Sequence, residues 1–134
     1  MPSQIPTPPS TYTDIDPNFT KNPKNGDLIA IKDAKCIKIS LMNLLSTAFG
    51  ERLFQPQIGA SLRPLLFEPI DSITTFEMRD RILETIIKHE PRVSNIIVDV
   101  FADPETNSYE IGVEYSIQSI GAVDKITTML ERIR

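Results

Sequence analysis

Carboxylate side chains are the residues of this chain that could most readily do chemistry. Glu51, Glu68 and Glu90 each stand among apolar neighbours in the sequence. Two such carboxylates on either side of a sugar bond could serve a glycoside hydrolase, provided that one of them has a raised pKa. The chain has no Trp and only 3 Tyr to line a sugar cleft, so a lysozyme-like peptidoglycan hydrolase is our alternative hypothesis and not the first one.

Ion pairing explains the same acidic residues more simply. Glu51 is followed directly by Arg52, and Glu90 is separated from Arg92 only by Pro91. A carboxylate beside a guanidinium forms charge-assisted hydrogen bonds, often two in parallel. We therefore predict structural or interaction roles for these residues, and we predict no catalytic residue.

Metal and cofactor chemistry has little support. Asp14 and Asp16 could bind a hard cation, but two carboxylates beside Pro17 are a weak indication. The single cysteine, Cys36, excludes an intrachain disulfide, and with the single histidine, His89, it excludes the usual zinc ligand sets. The sequence also lacks a phosphate-binding glycine loop and the common hydrolase motifs. We expect neither a metal nor a cofactor.

Composition narrows the class of protein. A length of 134 residues predicts one domain, and a net charge of −4 with a pI near 5.0 argues against a nucleic-acid-binding module, which is normally basic. No apolar run approaches the roughly 18–20 residues that cross a bilayer, and the N-terminus lacks the features of a secretion signal. We expect a small soluble protein with neither nucleic acid nor membrane among its partners.

Prolines divide the chain into an arm and a domain. Six of the eleven prolines lie in the first 23 residues, and each fixes φ and removes a backbone N–H group. Residues 1–11 are expected to be mainly a disordered tail. Residues 12–32 are either a continuation of that tail or an extended arm on the domain or a neighbour, with a tight turn at 25–27. Residues 33–134 form the predicted domain.

A first amphipathic helix is predicted over about residues 33–48. Apolar residues at spacings of three and four follow Asp33, a candidate N-cap, and Gly50 stands where a left-handed C-cap is expected. Residues 50–71 are irregular because prolines and glycines interrupt them, yet they are rich in Leu and Phe. We expect this loop to pack against the domain, with a short helical turn at 61–67.

A second helix is predicted over about residues 71–89. Asp71 could itself be the N-cap, while Thr74 and Glu77 have the spacing of a capping box. Pro91 ends the helix because the residue before a proline avoids helical geometry. The apolar side chains expected on the buried side are Ile73, Phe76, Ile82, Leu83, Ile86 and Ile87.

The apolar period then changes from 3.6 to 2, which predicts strands. Residues 93–101 and 109–117 form the predicted antiparallel hairpin around a turn at 103–107, and a weaker third strand follows Gly121. The predicted fold class is therefore α+β. Two helices pack on one face of a small, mainly antiparallel three-stranded sheet, and an extended N-terminal arm precedes them.

Four motifs in a fixed order carry a family resemblance. They are YTDIDP at 12–17, GERLFQPQIG at 50–59, LFE at 66–68 and EPR at 90–92. In their order and spacing they resemble the gene-25-like family of small baseplate wedge proteins, found in T-even-type contractile phages, type VI secretion systems and related contractile injection machines. The chain departs from the family pattern at Leu53, where relatives often carry Pro, and at Gln55 and Gln57, where acidic residues are common.

The resemblance implies structural work and no enzyme activity. Members of the family lie in the inner baseplate near the tube, resemble the core domain of the sheath protein and provide the platform for the first sheath ring. The implied partners are other wedge subunits and the tail sheath protein, with tail tube or hub proteins as further candidates. The implied location is a virion tail baseplate assembled in the bacterial host cytoplasm. The family has also carried the name lysozyme.

The same resemblance selects the residues expected to make interactions. A short open sheet exposes unpaired N–H and C=O groups on its edge strands, and these groups can pair with an added strand. We expect the hairpin and the third strand to accept extended arms from sheath subunits. The interaction residues expected from the motifs are Asp14, Asp16, Glu51, Arg52, Phe54, Glu68, Glu90, Pro91 and Arg92.

Overall fold

Two helices and two antiparallel sheets make up the part of the chain that the structure, a computed structural model, describes: residues 12–132. The expected tail at 1–11 and the chain end at 133–134 lie outside the described residues. The elements in chain order are β1 (Thr13–Ile15), β2 (Ala30–Lys32), α1 (Ala34–Ser46), a 3₁₀ turn (Arg63–Phe67), α2 (Ser72–His89), β3 (Val93–Asp103), β4 (Ser108–Ile117) and β5 (Val123–Glu131). The predicted α+β class is confirmed.

The larger sheet is an antiparallel meander in which β4 lies between β3 and β5. A bulge interrupts the pairing of β3 with β4 between Ser94 and Ile97, where Asn95 has a φ of 49°. The alternation predicted for β4 is confirmed, since the side chains of one parity are all buried: Tyr109, Ile111, Val113, Tyr115 and Ile117.

Both helices cover this buried face of the sheet, with α2 along β3 and α1 beside it towards β5. The predicted buried side of α2 is confirmed at Ile82 and Ile86 but wrong at three residues that are exposed: Ile73, Phe76 and Ile87. The helix is rotated so that Thr74, Met78 and Thr85 are buried instead. The two threonine hydroxyls are satisfied locally, by donating to Pro69 O at 2.9 Å and to Arg81 O at 2.7 Å.

The helix ends follow local hydrogen bonding. Asp71 is the N-cap of α2, and its carboxylate accepts a 2.8 Å hydrogen bond from Thr74 N. Asp33 occupies the N-cap position of α1 without a side-chain capping bond. The expected C-cap role of Gly50 is wrong, because the chain already becomes extended at Thr47, whose N–H donates to Asn43 O.

The long loop between the helices is only partly packed. The predicted helical turn is confirmed as the 3₁₀ turn, and Ala60, Leu62, Leu65 and Leu66 are buried around it. The expectation that the apolar loop packs against the domain is wrong at Phe67, which is exposed, and most clearly at Leu53 and Phe54, which are 92% and 96% exposed. We call Leu53 and Phe54 the exposed tip of the loop.

The segment before α1 folds back on itself. β1 pairs antiparallel with β2, and Lys21 forms an isolated bridge with Leu28. The tight turn predicted at 25–27 is confirmed, with a left-handed φ of 73° at Gly26. Residues 12–32 therefore form a narrow hairpin. Among the described residues no helix is long and apolar enough to cross a membrane.

Candidate interaction site

An ion pair between Glu90 and Arg92 lies at the point where α2 ends and β3 begins. Glu90 is the C-cap of α2, and its side chain is only 3% exposed. Its two carboxylate oxygens accept hydrogen bonds of 2.5 Å from Arg92 Nε and 2.6 Å from Arg92 Nη2. Such bidentate contacts fix direction as well as distance, so the pair sets the angle at which the chain passes from the helix into the sheet.

Ser40 adds the first helix to this pair. Its hydroxyl donates a 2.7 Å hydrogen bond to Glu90 Oε2, so that one buried carboxylate joins α1, α2 and the start of β3. Ser40 lies outside the four sequence motifs. One feature of the sequence does indicate a role for Ser40. Its hydroxyl lies between Ile37 and Leu44 on the apolar stripe of α1, where a buried polar group needs a hydrogen-bond partner.

Electrostatics keep this carboxylate ionised. Burial favours the neutral acid, but the hydrogen bonds from Arg92 and Ser40 outweigh burial and lower the pKa of Glu90. The hydrogen bond to Glu90 correspondingly raises the pKa of Arg92. Glu90 is therefore a charged structural group, and it does not have the raised pKa that a general acid needs.

Tyr12 covers the outer side of Arg92. The guanidinium carbon lies 5.1 Å from the centre of the Tyr12 ring, a cation–π distance. Tyr12 is held in place by Asp33, since Tyr12 N donates to Asp33 Oδ1 at 3.1 Å and Asp33 N donates to Tyr12 O at 2.8 Å. The carboxylate that was expected to cap α1 thus anchors the N-terminal hairpin beside the ion pair.

The two aspartates of the hairpin act locally. Asp16 is buried, and its Oδ1 accepts hydrogen bonds from Asn18 N at 3.2 Å and from Asn18 Nδ2 at 3.3 Å. The first of these bonds is the main reason that the pKa of Asp16 is lowered. Asp14 is exposed and accepts from Ile15 N. Within residues 12–132 no group of three or more His, Cys, Asp or Glu side chains could hold a metal ion.

The remaining selected residues lie apart from the ion pair. The expected pairing of Glu51 with Arg52 is wrong, because Glu51 is exposed and its carboxylate accepts a 2.8 Å hydrogen bond from Ala48 N. Glu68 and Phe54 are exposed as well. In the part of the chain that the structure describes, no hydrogen bond, ion pair or ring contact connects these four side chains to Glu90 or Arg92. They belong to the outer surface of the loop.

The fold and the site define a small α+β domain, in which one internal ion pair joins the helices to an open sheet. The sequence model for baseplate wedge protein gp25 matches residues 32–121 of the chain. A curated relative, baseplate wedge protein gp25 of Enterobacteria phage T4, is 31% identical over 115 residues, which cover 86% of this chain and 85% of the relative. The chain therefore belongs to the gp25 family of baseplate wedge proteins, and the family predicted from the four motifs is confirmed.

Solved structures show the same fold. A Geobacter sulfurreducens chain with a provisional tail lysozyme name has a TM-score of 0.68 at 24% identity, covering 79% of this chain and 97% of that one. A chain of the type VI secretion system baseplate complex has a TM-score of 0.63 at 10% identity, with 75% and 93% covered. A chain of the anti-feeding prophage baseplate has a TM-score of 0.58 at 20% identity, with 90% and 85% covered. At these identities the likeness concerns the fold alone.

Membership in this family makes the chain a structural protein of contractile-tail baseplates.

Proposed function

We propose that the chain is a baseplate wedge subunit near the tail tube, a platform for wedge assembly on which the first sheath ring starts by β-strand addition. The observation that carries this proposal is the open three-stranded sheet, in which only β4 is paired on both sides. β3 and β5 are edge strands whose outward N–H and C=O groups can accept a further strand. In this proposal the tail sheath protein donates that strand.

Other wedge subunits are the second class of partner in this proposal, and tail tube or hub proteins are a third. The exposed Leu53 and Phe54 support such contacts, because the free energy falls when a neighbouring protein covers large apolar side chains. Assembly in the cytoplasm of the bacterial host belongs to the same proposal. The family name of the phage T4 relative, a baseplate wedge protein, supports the wedge assignment.

The ion pair supports the platform from inside. Glu90 and Arg92 hold the two helices against the start of β3, so their loss would change the shape of the sheet that neighbours bind. We expect particles assembled with Arg92→Ala to carry baseplates without sheath, whereas Arg63→Ala, at an exposed arginine of the 3₁₀ turn, leaves sheath assembly normal. Normal contractile tails from Arg92→Ala would contradict this role.

A peptidoglycan hydrolase is the second candidate, favoured by the provisional tail lysozyme name of the Geobacter sulfurreducens chain. A glycoside hydrolase needs two carboxylates about 5–9.5 Å apart across a cleft, one of them protonated. Glu90 is instead ionised and paired with Arg92, and Glu51 and Glu68 lie on an exposed loop. We expect the purified protein to leave peptidoglycan uncleared. Clearing that Glu90→Gln, Glu51→Gln or Glu68→Gln abolishes would establish the hydrolase instead.

A further inference from the structure

We infer that the added strand binds at the edge of β3, in a groove between β3 and α2, and that the edge of β5 does not accept it. We also infer the chemistry of the strand: apolar side chains towards α2 and a basic side chain opposite Asp99. This inference rests on the proposed function, because it names the edge and the partner chemistry for strand addition.

Backbone direction along β4 identifies the groups that are free at each edge. In a strand the N–H and C=O of one residue point to the same side, and this side alternates along the chain. Ile117 N donates to Ala122 O at 2.8 Å, on the β5 side, whereas Gln118 N donates to Arg92 O at 3.1 Å, on the β3 side. Odd-numbered residues of β4 therefore bond to β5, and even-numbered residues bond to β3.

The register then shows which residues of β3 face outward. Val98 pairs with Val113 and Val100 pairs with Ile111, both of which bond to β5. The backbone N–H and C=O groups of Val98 and Val100 consequently point away from β4, to the open edge. Among the described residues no hydrogen bond engages these outward groups, so this edge is ready to pair.

Some of the outward backbone N–H and C=O groups of β5 already have hydrogen-bond partners. By the same alternation the backbone of Lys125 points to the outer edge of β5, since Lys125 is opposite Glu114. Lys125 N donates to Asp124 Oδ1 at 2.8 Å, and Lys125 O accepts a 3.3 Å hydrogen bond from Lys38 Nζ on α1. An incoming strand would have to replace both bonds, which makes β5 the poorer acceptor.

A groove accompanies the open edge of β3. It has a volume of about 430 Å³ and lies between the first turns of α2 and the middle of β3. The side chains of Val98 and Val100 lie on the helix-covered face of the sheet and line this groove. Phe76 of α2 is exposed and lines the groove from the other side. A strand added to β3 would place every second side chain in this groove, so these side chains should be apolar. The lining residues are Ser72, Thr75, Phe76, Arg79, Val98, Asp99, Val100 and Phe101.

The opposite face of the sheet favours a basic side chain on the added strand. Asp99 and Glu110 are exposed on that face and have no ion-pair partner within residues 12–132, whereas Glu114 binds Lys125 on the β5 side at 3.1 Å. The half of this face next to β3 is therefore acidic. Cross-strand pairs of opposite charge stabilise a sheet, so a Lys or Arg on the added strand fits opposite Asp99.

Two other occupants fit the edge less well. Residues 1–11 of this chain contain Pro2, Pro6, Pro8 and Pro9, and proline cannot donate to a strand ladder. A second copy of β3 would bring Asp99 beside another acidic strand, which is unfavourable. A strand from a different protein, with apolar side chains, a basic residue and no proline, can pair along its whole length and is not repelled by Asp99.

A matched pair of proline substitutions tests the inference. Val100→Pro removes an outward N–H of β3, and Thr127→Pro removes one of β5; the readout is the fraction of assembled baseplates that carry a first sheath ring in electron micrographs. We expect Val100→Pro to lose the ring and Thr127→Pro to keep it. Loss only with Thr127→Pro, or with both, would overturn the choice of β3. Retention with both would overturn strand addition at this sheet, and with it the proposed function.

A second pair preserves the test if a proline variant does not fold. Phe76 lines the groove, whereas Ile87 is exposed on the same helix outside it, so neither side chain contributes to the core. We expect Phe76→Asp to lose the sheath ring and Ile87→Asp to retain it, with unchanged melting temperatures for both. Equal behaviour of the two variants would contradict the groove assignment.

Discussion

Arg92 donates two hydrogen bonds to the buried carboxylate of Glu90, although only Pro91 separates the two residues. The proline lets the chain turn from the end of α2 into β3 so that both side chains face the same interior point. Ser40 reaches this point from α1 and Tyr12 from the N-terminal hairpin. A motif of three residues thereby connects the junction of α2 and β3 to two segments that are distant in sequence, α1 and the N-terminal hairpin.

Removing Arg92 should therefore destabilise the whole module. In Arg92→Ala the Glu90 carboxylate stays buried without its counter-ion, a change that costs about 3–5 kcal/mol in comparable buried pairs. Urea denaturation of the purified protein, followed by circular dichroism, measures this loss as a lower midpoint at unchanged slope. The double variant Glu90→Leu/Arg92→Met, which removes both charges, should recover most of the loss. Equal losses in the two variants would contradict the ion pair as the cause.

Stability should also depend on pH through Glu90. Its pKa in the folded protein lies below the ordinary value of 4.5, so its contribution is complete above that value and is lost as pH falls through the folded pKa. Asp16, Asp71 and Asp103 also have lowered pKa values and add to the same trend. The difference in unfolding free energy between wild type and Glu90→Gln should shrink below pH 4.5. A difference that is constant with pH would rule out the charged carboxylate.

Gly59 should tolerate no side chain. Its φ is 135°, and a Cβ there would lie 2.4 Å from the carbonyl oxygen of Thr47. Gly121 is the matched control, because its φ of 66° is left-handed but nothing lies within 4 Å of its Cβ position. We expect Gly121→Ala to cost about 1–2 kcal/mol and Gly59→Ala clearly more, by urea denaturation. Similar costs for both would mean that the loop can move away from Thr47.

The loop tip should affect assembly without affecting stability. Leu53 and Phe54 are almost fully exposed, and surface substitutions without contacts usually change stability by less than about 0.5 kcal/mol. Leu53→Ala/Phe54→Ala should therefore melt like the wild type but enter baseplates at a reduced level, measured by quantitative immunoblotting of purified particles. Wild-type incorporation would remove the tip from the interaction surface, and a lower melting temperature would reveal a packing role.

Strands were easier to predict from this sequence than helix faces. β4 alternates strictly, so its buried parity can be read from Tyr109 to Ile117. On α2 the apolar residues cover more than one face, and periodicity alone cannot decide which face packs. Thr74 and Thr85 can be buried because their hydroxyls donate hydrogen bonds to nearby carbonyl groups. The spacing of apolar residues does not identify polar residues that are buried in this way.

At the ion-pair site, contacts between residues close in sequence could be predicted, whereas contacts between distant residues could not. The Glu90–Arg92 pair was predictable because its members are two residues apart, with a proline that fixes the turn. Ser40 contacts Glu90 across 50 positions, and Tyr12 contacts Arg92 across the whole helical region. Contacts at such separations depend on tertiary packing. The exposure of Leu53 and Phe54 was missed for the opposite reason, since apolar side chains were expected to be covered within the chain.

The proposed platform is open to direct observation in an electron microscopy map of an assembled tail that contains this chain and the first sheath ring. The proposed function predicts continuous density for a fourth strand on the three-stranded sheet, traceable to a sheath subunit. We expect this strand at the edge of β3, beside Phe76 and opposite Asp99. A sheath ring that contacts the baseplate while both edges of the sheet are bare would contradict the proposed platform.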